Sequence, residues 1–469
     1  MKTIRKRSLL CRWGVAGLSL ACCAVALTAC GGAEPQLESS DVEQPPDVKV
    51  LWEPELDADP RSADAVIDGD ELFVAESSAK RGADRMTDLV VFDLDTGEKL
   101  WETTEVRHTW LAEDSVVMEL GSDVVRVVDR ASGEKRFEIE PEEFGSVAAT
   151  ADGIAVMHEV DDAAELTVYD PDSGDERWSV KVEGADSVDD AHVSAPWESR
   201  NVHGGKNFSE TPSLRVVQDS PMVFAYVRDA RNEGHYVPYA VTDGDLGDEI
   251  QVHSASSSSE EGVLPGTEFM TVSDQGNVVA LIGRDRCKSV YAIVDDEMWE
   301  AGAFDVHGGE TCENVGVTKN FVDDMVYGLS ESGLPQLIDI NTGDVVWTGP
   351  EQGTPFAVVN GIAVYGRDGY VKAVDIETNE PRWDWDHGSM QPRPAYPREF
   401  DESQPDNVYG TNGDVILFGT PHSTFAINAD DGEPLWSHLG SMVDIGSEYV
   451  VLRPDLSGDN LRVAAVDRG

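Results

Sequence analysis

The chain has little positive charge. Its 469 residues include 35 Lys and Arg against 90 Asp and Glu, which gives a formal net charge of −55. Such a surface repels the phosphates of nucleic acids, so we predict no nucleic-acid partner. The simplest reason for the charge is solubility in a salt-rich or cation-rich cell envelope.

Long apolar runs are also scarce, and the clearest one lies at the amino terminus. Residues 13–27 follow a basic stretch and are too few for a comfortable membrane-spanning helix. The run ends in Leu27-Thr28-Ala29-Cys30, which matches a bacterial lipobox. An ordinary signal cleaved near Ala29 is the alternative. We predict a signal peptide over residues 1–29 and acylation of Cys30, palmitate included.

Residues 30–47 lack an apolar period and are rich in acidic residues and proline, which predicts a flexible tether from the lipidated Cys30. The protein is therefore expected to be exported and anchored to the outer face of the bacterial cell membrane. The membrane contact would be made through the lipid alone.

Cysteine is rare in the exported part of the chain. Of the six cysteines, only Cys287 and Cys312 follow Cys30. An oxidising compartment would allow these two to pair. We expect a disulfide rather than a metal site, because a metal would need more ligands nearby.

Familiar catalytic motifs are absent from the sequence. It has no Gly-x-Ser-x-Gly elbow, phosphate-binding loop or His-Glu-x-x-His. The ten histidines do not form close pairs, and the carboxylates are too numerous to single out a catalytic pair. The Asp-rich turns lack the length and the closing Glu of a calcium loop. We predict no catalytic residue, no metal site and no cofactor.

What the sequence does contain is a repeated phrase, Asp-x-x-Thr/Ser-Gly-x-x-x-Trp. Its clearest copies are Asp93–Trp101, Asp170–Trp178 and Asp339–Trp347. Nine turns can be counted, near Asp93, Asp129, Asp170, Asp243, Asp295, Asp339, Asp375, Asn428 and Asp467. The tryptophans assigned to the repeat are Trp52, Trp101, Trp178, Trp299, Trp347, Trp383 and Trp436.

Each unit alternates short apolar strands with tight turns, which predicts four antiparallel strands. Such a sheet cannot bury both faces alone, so units must stack, with the tryptophans as plates between neighbours. We predict an all-β closed β-propeller of four-stranded antiparallel blades over residues 48–469. Eight blades are favoured, since propellers usually have four to eight, although nine units are counted. The final unit stops before its fourth strand, and residues 49–52 are expected to complete it and close the ring.

Three segments depart from the repeat, over residues 182–213, 254–261 and 385–405. The first and third mix aromatic and basic residues, on loops that a rigid scaffold would hold. Passive loops are the alternative. The candidate partner-binding residues are Trp197, His203, Arg393, Tyr396 and Arg398.

The phrase Val-x-Asp-x-x-Thr-Gly-x-x-x-Trp resembles the repeat of the PQQ-like β-propeller family. That family includes quinoprotein dehydrogenases and the propeller lipoprotein of the outer-membrane β-barrel assembly machine. The first branch implies a calcium-held quinone, with a vicinal disulfide in its alcohol-oxidising members. The only adjacent cysteines here, Cys22 and Cys23, lie in the predicted signal. The second branch implies a lipid-anchored scaffold without chemistry.

We therefore predict a non-enzymatic, lipid-anchored, extracytoplasmic binding or scaffold module. Its partner would be an envelope protein or a cell-wall component. One alternative is a dehydrogenase that depends on PQQ and calcium, the only cofactors then expected. Another is a glycan-binding or hydrolytic propeller.

Overall fold

The computed structural model describes most of the chain after residue 46. The described residues are 47–56, 63–77, 86–121, 123–141, 143–161, 163–185, 187–188, 191–198, 214–217, 220–228, 234–245, 250–252, 267–272, 278–284, 287–294, 297–305, 316–322, 325–330, 332–339, 342, 344–367, 370–386, 407–412, 414–420, 423–453 and 460–466. For some of the strands within these ranges, only the backbone is described. The predicted signal and nearly all of the predicted tether lie outside them.

The described residues form an all-β structure of short strands. In the amino-terminal half these are β1 (Val50–Trp52), β2 (Asp64–Asp68), β3 (Glu71–Ser77), β4 (Thr87–Asp93), β5 (Lys99–Leu111), β6 (Ser115–Leu120), β7 (Val124–Asp129), β8 (Lys135–Ile139), β9 (Phe144–Ala149), β10 (Ile154–Val160), β11 (Ala163–Tyr169), β12 (Glu176–Lys181), β13 (Ala191–Ser194), β14 (Trp197–Glu198), β15 (Leu214–Val217), β16 (Met222–Arg228), β17 (Gly234–Ala240) and β18 (Ile250–Val252).

The carboxy-terminal half continues in the same manner. Its strands are β19 (Thr267–Val272), β20 (Val278–Arg284), β21 (Cys287–Val294), β22 (Glu297–Asp305), β23 (Gly316–Val322), β24 (Met325–Leu329), β25 (Pro335–Asp339), β26 (Val345–Thr348), β27 (Thr354–Val359), β28 (Ile362–Arg367), β29 (Tyr370–Asp375), β30 (Pro381–Asp386), β31 (Asn407–Asn412), β32 (Val415–Thr420), β33 (Ser423–Asn428), β34 (Pro434–Leu439), β35 (Met442–Ile445), β36 (Tyr449–Leu452) and β37 (Arg462–Ala465).

Among the described residues, hydrogen bonds join these strands into eight sheets, seven of four strands and one of nine. The nine-stranded sheet contains two four-stranded antiparallel arrays that share the long strand β5. The first part of β5 pairs with β4, and the last part of β5 pairs with β6. Four-stranded arrays therefore follow one another along the described chain.

The two ends of the described chain meet in one sheet. Strand β1 pairs antiparallel with β37, and the strand order of that sheet is β1-β37-β36-β35. Val48, just before β1, contacts the neighbouring sheet, because its N–H donates to the carbonyl of Ser437 on β34, 3.1 Å away. The amino-terminal strand is thus the fourth strand of the array whose other three strands end the chain.

The repeated Asp-x-x-Thr/Ser-Gly phrase forms the turn between the third and fourth strands of an array. In the turn at Asp93, Oδ1 accepts hydrogen bonds from the N–H and the hydroxyl of Thr96, at 2.8 and 2.6 Å. Gly97 adopts a φ of 72°, which is unfavourable for residues with a Cβ. Backbone geometry thus accounts for the motif.

The aromatic residue that ends the phrase packs on the turn of the next array. A Cβ on Gly133 would lie 2.7 Å from Cδ2 of Trp101. The indole N–H of Trp101 donates to the carbonyl of Arg130 at 2.7 Å. The same arrangement joins Trp52 to Leu94, Trp178 to Val241, Trp383 to Ala429 and Trp436 to Val466. Each indole thereby fills a gap between arrays and satisfies its one donor.

The segment that contains Trp197 is not simply a loop outside the repeat. Part of the predicted departure, β13, is the first strand of a four-stranded sheet. Beyond it, β14 pairs with β15, and β15 lies parallel to the end of β5, with Leu214 opposite Thr109. The side chains of Leu214 and Val216 are buried against β5 and its neighbours. The β15 strand is amphipathic and attaches to the edge of β5, which sequence periodicity alone did not reveal.

Candidate functional site

A cleft lies between the first two arrays and β15. Its volume is about 620 Å³, within the range common for ligand sites. It is lined by Asp68, Gly69, Asp70, Glu71, Asp93, Leu100, Leu111, Ala112, Glu113, Arg130, Val216 and Val217. Aliphatic side chains therefore lie beside five carboxylates and a single guanidinium.

That guanidinium, on Arg130, is already paired. Its Nη1 donates to Oδ2 of Asp68 at 2.6 Å, and its Nε donates to Glu71. It also lies 5.2 Å from the ring centroid of Phe73, a cation–π distance. Arg130 thus joins the first array to the second and neutralises two of the acids. Asp70, Asp93 and Glu113 are left without a cation among the lining residues.

Asp93 differs from its counterparts in three other turns. Those turns carry an arginine seven positions after the aspartate, and its side chain folds back on Oδ2 of that aspartate. The distances from Nη2 to Oδ2 are 3.0 Å for Arg136 and Asp129, 2.8 Å for Arg177 and Asp170, and 2.6 Å for Arg382 and Asp375. We call these three the arginine-capped turns.

The cap has an electrostatic effect that is largest at Asp170. Hydrogen bonds from Arg177, and then from the backbone of Ser173, lower the pKa of Asp170 to about 2. Arg136 and Arg382 are likewise the main causes of the lowered pKa values of Asp129 and Asp375. A guanidinium is therefore a well-suited occupant of this position.

In the first turn the corresponding residue is Leu100, whose side chain is 43% exposed. Asp93 keeps its turn hydrogen bonds on Oδ1, and Thr96 is the main cause of its lowered pKa. Its Oδ2 accepts no hydrogen bond from the described residues. The first turn is therefore an uncapped copy of the other three, and it opens into the cleft.

A second polar group surrounds Arg215 on β15. Its guanidinium lies 5.1 Å from the ring centroid of Trp110. Burial, and then the charges of Arg215 and Arg107, lower the pKa of His108 to about 3. Glu119 contacts His108 at 3.2 Å and Arg107 at 3.4 Å. The histidine is thus neutral near pH 7. Arg107 also pairs with Asp123 at 2.7 Å, so the polar side chains around Arg215 are bonded to one another.

One pair in this region has the geometry of a nucleophile and a base. Nε2 of His192 lies 3.0 Å from Oγ of Ser194. Burial, and then Arg215, lower the pKa of His192 to about 4. A base with this pKa is poorly matched to proton abstraction near neutral pH. The pair is better described as a hydrogen bond between residues on one face of β13.

The described part of the chain contains no group of three His, Cys, Asp or Glu side chains that could hold a metal ion. It also contains no helix with the length and hydropathy needed to span a membrane.

The predicted site residues are placed unevenly. Trp101, Trp347, Trp383 and Trp436 are buried, whereas Trp52 and Trp178 are half-buried. Trp299 lies on β22, Cys287 on β21 and Trp197 on β14, with their side chains outside the described residues. Cys30, His203, Cys312, Arg393, Tyr396 and Arg398 lie entirely outside the described residues. Their predicted roles stay predictions.

The cleft was not found by sequence reasoning, although part of its signal is visible in the sequence. The residue directly before the aromatic residue that ends the phrase is an arginine in the capped turns and Leu100 in the first turn. The contribution of Val216 and Val217 could not be read in this way, because it depends on the pairing of β15 with β5.

Comparison with known proteins gives a family. The model described as "Outer membrane protein assembly factor BamB" matches residues 86–349, which is more than half of the chain. No curated protein matches.

Solved structures with a similar course include BamB from Moraxella catarrhalis, at 13% identity and a TM-score of 0.40, covering 89% of this chain and 97% of that one. Another is quinohemoprotein alcohol dehydrogenase from Comamonas testosteroni, at 10% identity and a TM-score of 0.41, covering 92% and 78%. At these scores the solved structures add no argument about function. On the strength of the family match, the chain belongs to the family described as outer membrane protein assembly factor BamB.

Proposed function

We propose that this protein is a lipid-anchored, non-catalytic binding module of the cell envelope that docks a partner protein at the cleft. The observation that carries the proposal is that the repeated residues stabilise the scaffold, whereas several residues of the cleft do not. The aspartates, glycines and tryptophans of the repeat hold turns and arrays together, while in the cleft Leu100 is exposed beside Asp70, Asp93 and Glu113, which have no cation among the lining residues. The family description, an assembly factor, supports the same role.

The scaffold of this module would be a closed propeller. In support, β1 joins the array formed by β35–β37, and Trp52 of that strand packs on Gly97 of the first array. Counting the two arrays that share β5 separately, we propose nine blades, one for each repeat turn, rather than the eight favoured from the sequence. Closure protects strand edges that would otherwise invite aggregation.

Docking at the cleft is tested by site-specific photo-crosslinking in intact cells. A crosslinking amino acid at the exposed cleft residue Glu113 should capture a discrete partner. The matched control is Glu140, which is also exposed but follows β8 at the opposite end of the strands. Equal capture from both positions, or none from Glu113, would contradict docking at the cleft. The same probe at Trp197 and Tyr396 tests the two loops predicted from the sequence.

The anchor is tested separately at Cys30. A Cys30→Ala variant should lose labelling by a fatty-acid probe and no longer sediment with membranes, since stable anchoring needs acyl chains. If the variant sediments as before, and the native protein takes up no probe, the lipid anchor is wrong. Robust dye-linked oxidation of alcohols or sugars by native protein supplied with PQQ and calcium would overturn the non-catalytic assignment.

A further inference from the structure

We propose that the cleft binds an arginine side chain of the partner, with its guanidinium on Oδ2 of Asp93 in the place that Arg136, Arg177 and Arg382 occupy in the capped turns. The inference rests on the proposed binding role and names the chemistry that the partner presents. It is carried by a difference between equivalent turns of one molecule.

The capped turns define the position in atomic terms. In the second array, Arg136 donates through Nη2 to Oδ2 of Asp129 at 3.0 Å and to the carbonyl of Asp114 at 2.6 Å. In the third, Arg177 bridges Asp170 and the carbonyl of Asp152. The occupant is thus a guanidinium that spans a carboxylate and a backbone carbonyl, a task that suits its forked donors.

Both acceptors are present in the first turn. The carbonyl of Asp70 accepts the N–H of Leu94 at 2.9 Å, just as the carbonyl of Asp114 accepts the N–H of Arg130 at 3.1 Å. Asp70 therefore corresponds to Asp114, and Asp93 corresponds to Asp129. Both line the cleft, and the chain supplies no arginine of its own at the capping position.

The surroundings of Asp93 favour an occupant from outside the chain. Leu100, which is 43% exposed, offers an apolar surface to the methylene stem of an arginine or to an aliphatic residue beside it. Glu113 and Asp70 add negative charge at the rim, and Arg130 is already neutralised by Asp68 and Glu71. Charge and shape thus complement a cationic side chain flanked by aliphatic residues.

The test measures binding of a short acetylated and amidated peptide with one Arg between Leu residues. Its partner probe is the same peptide with citrulline, which keeps the shape but not the charge. Fluorescence anisotropy with the full-length lipoprotein in detergent should show roughly tenfold weaker binding of the citrulline peptide, the size expected for lost hydrogen bonds to a charged group.

Three variants locate the site. Asp93→Asn should weaken the Arg peptide roughly tenfold as well. It should keep the turn, because Asn428 begins a turn with the same backbone hydrogen bond, from the N–H of Gly432 to the carbonyl of Asn428 at 2.9 Å. Leu100→Arg should abolish binding by supplying the missing cap from within. Asp129→Asn, in a turn already capped by Arg136, should leave binding unchanged.

Equal binding of the two peptides would overturn the inference. So would equal weakening by Asp93→Asn and Asp129→Asn, which would indicate general attraction to an acidic surface, or unchanged binding to Leu100→Arg. If Glu113 crosslinks to a partner and the peptides are not distinguished, the binding role stands and the arginine specificity is wrong. If the peptides are distinguished and no crosslink forms, the arginine site stands and the cellular role is wrong.

Discussion

The first turn and the arginine-capped turns have the same backbone hydrogen bonds and differ at the capping position, seven residues after the aspartate. Asp93 and Asp170 both hold the turn through Oδ1, at 2.8 and 2.9 Å from the N–H three residues on. Arg177 then occupies Oδ2 of Asp170, whereas Leu100 leaves Oδ2 of Asp93 open to the cleft. We propose that this absent internal contact marks the place where an external one fits.

The arrays themselves are held together by the indoles that pack between them. Trp436 is fully buried, and its N–H reaches the carbonyl of Val466 at 2.7 Å. Trp436→Ala should lower the free energy of unfolding by about 3–5 kcal/mol, the usual cost of removing a large buried aromatic. Trp178 is half-buried, so Trp178→Ala should cost less. Urea denaturation measures both, and equal losses would contradict the dependence on burial.

Substitution of two turn glycines distinguishes the cost of a packing overlap from the cost of backbone strain. Gly133 and Gly361 have φ values of 67° and 74°, but only Gly133 lies against an indole. Gly361→Ala should cost about 1–2 kcal/mol for the backbone alone. Gly133→Ala should cost a further 1–3 kcal/mol, roughly, because its Cβ would overlap Trp101. If urea denaturation gives equal costs for the two substitutions, the Trp101 indole moves aside without loss of stability.

The contribution of a capped turn to stability should depend on pH, with a smaller effect than the substitutions above. The pKa of Asp170 is depressed in the folded protein, from 3.8 to about 2. Its stabilising effect is therefore complete above the unfolded value and is lost as the pH falls through the folded value. An exposed ion pair contributes at most about 1 kcal/mol. Arg177→Met should flatten the loss of stability between these two pH values. Urea midpoints measured across the range would contradict this if the variant and the native protein change in parallel.

Much of the scaffold could be predicted from the sequence, because Asp, Gly and Trp recur for local reasons. A turn selects Asp and Gly by backbone geometry, and a fixed spacing then places Trp on the neighbouring array. The sequence also predicts that the amino-terminal strand completes the last repeat unit, and β1 does pair with β37.

The cleft could not be predicted in this way. It depends on β15 lying parallel to β5, a contact between residues far apart in sequence. The open Oδ2 of Asp93 has a sign in the sequence, since Leu100 stands where Arg136 and Arg177 stand in their turns. The meaning of that sign depends on the arginine side chain folding back on the aspartate, which only the structure shows. The sequence predicts that Trp197 lies in an insertion outside the repeat, whereas its strand β14 pairs with β15.

The most direct test of the account is the pKa of Asp93, measured by NMR titration of its side-chain carboxyl in the native protein and in Leu100→Arg. If the first turn is an uncapped copy of the others, the introduced guanidinium will fold onto Oδ2 and lower the pKa of Asp93 toward that of Asp170, about 2. An unchanged pKa of Asp93 would show that the position does not accept a guanidinium, and would contradict the equivalence of the turns.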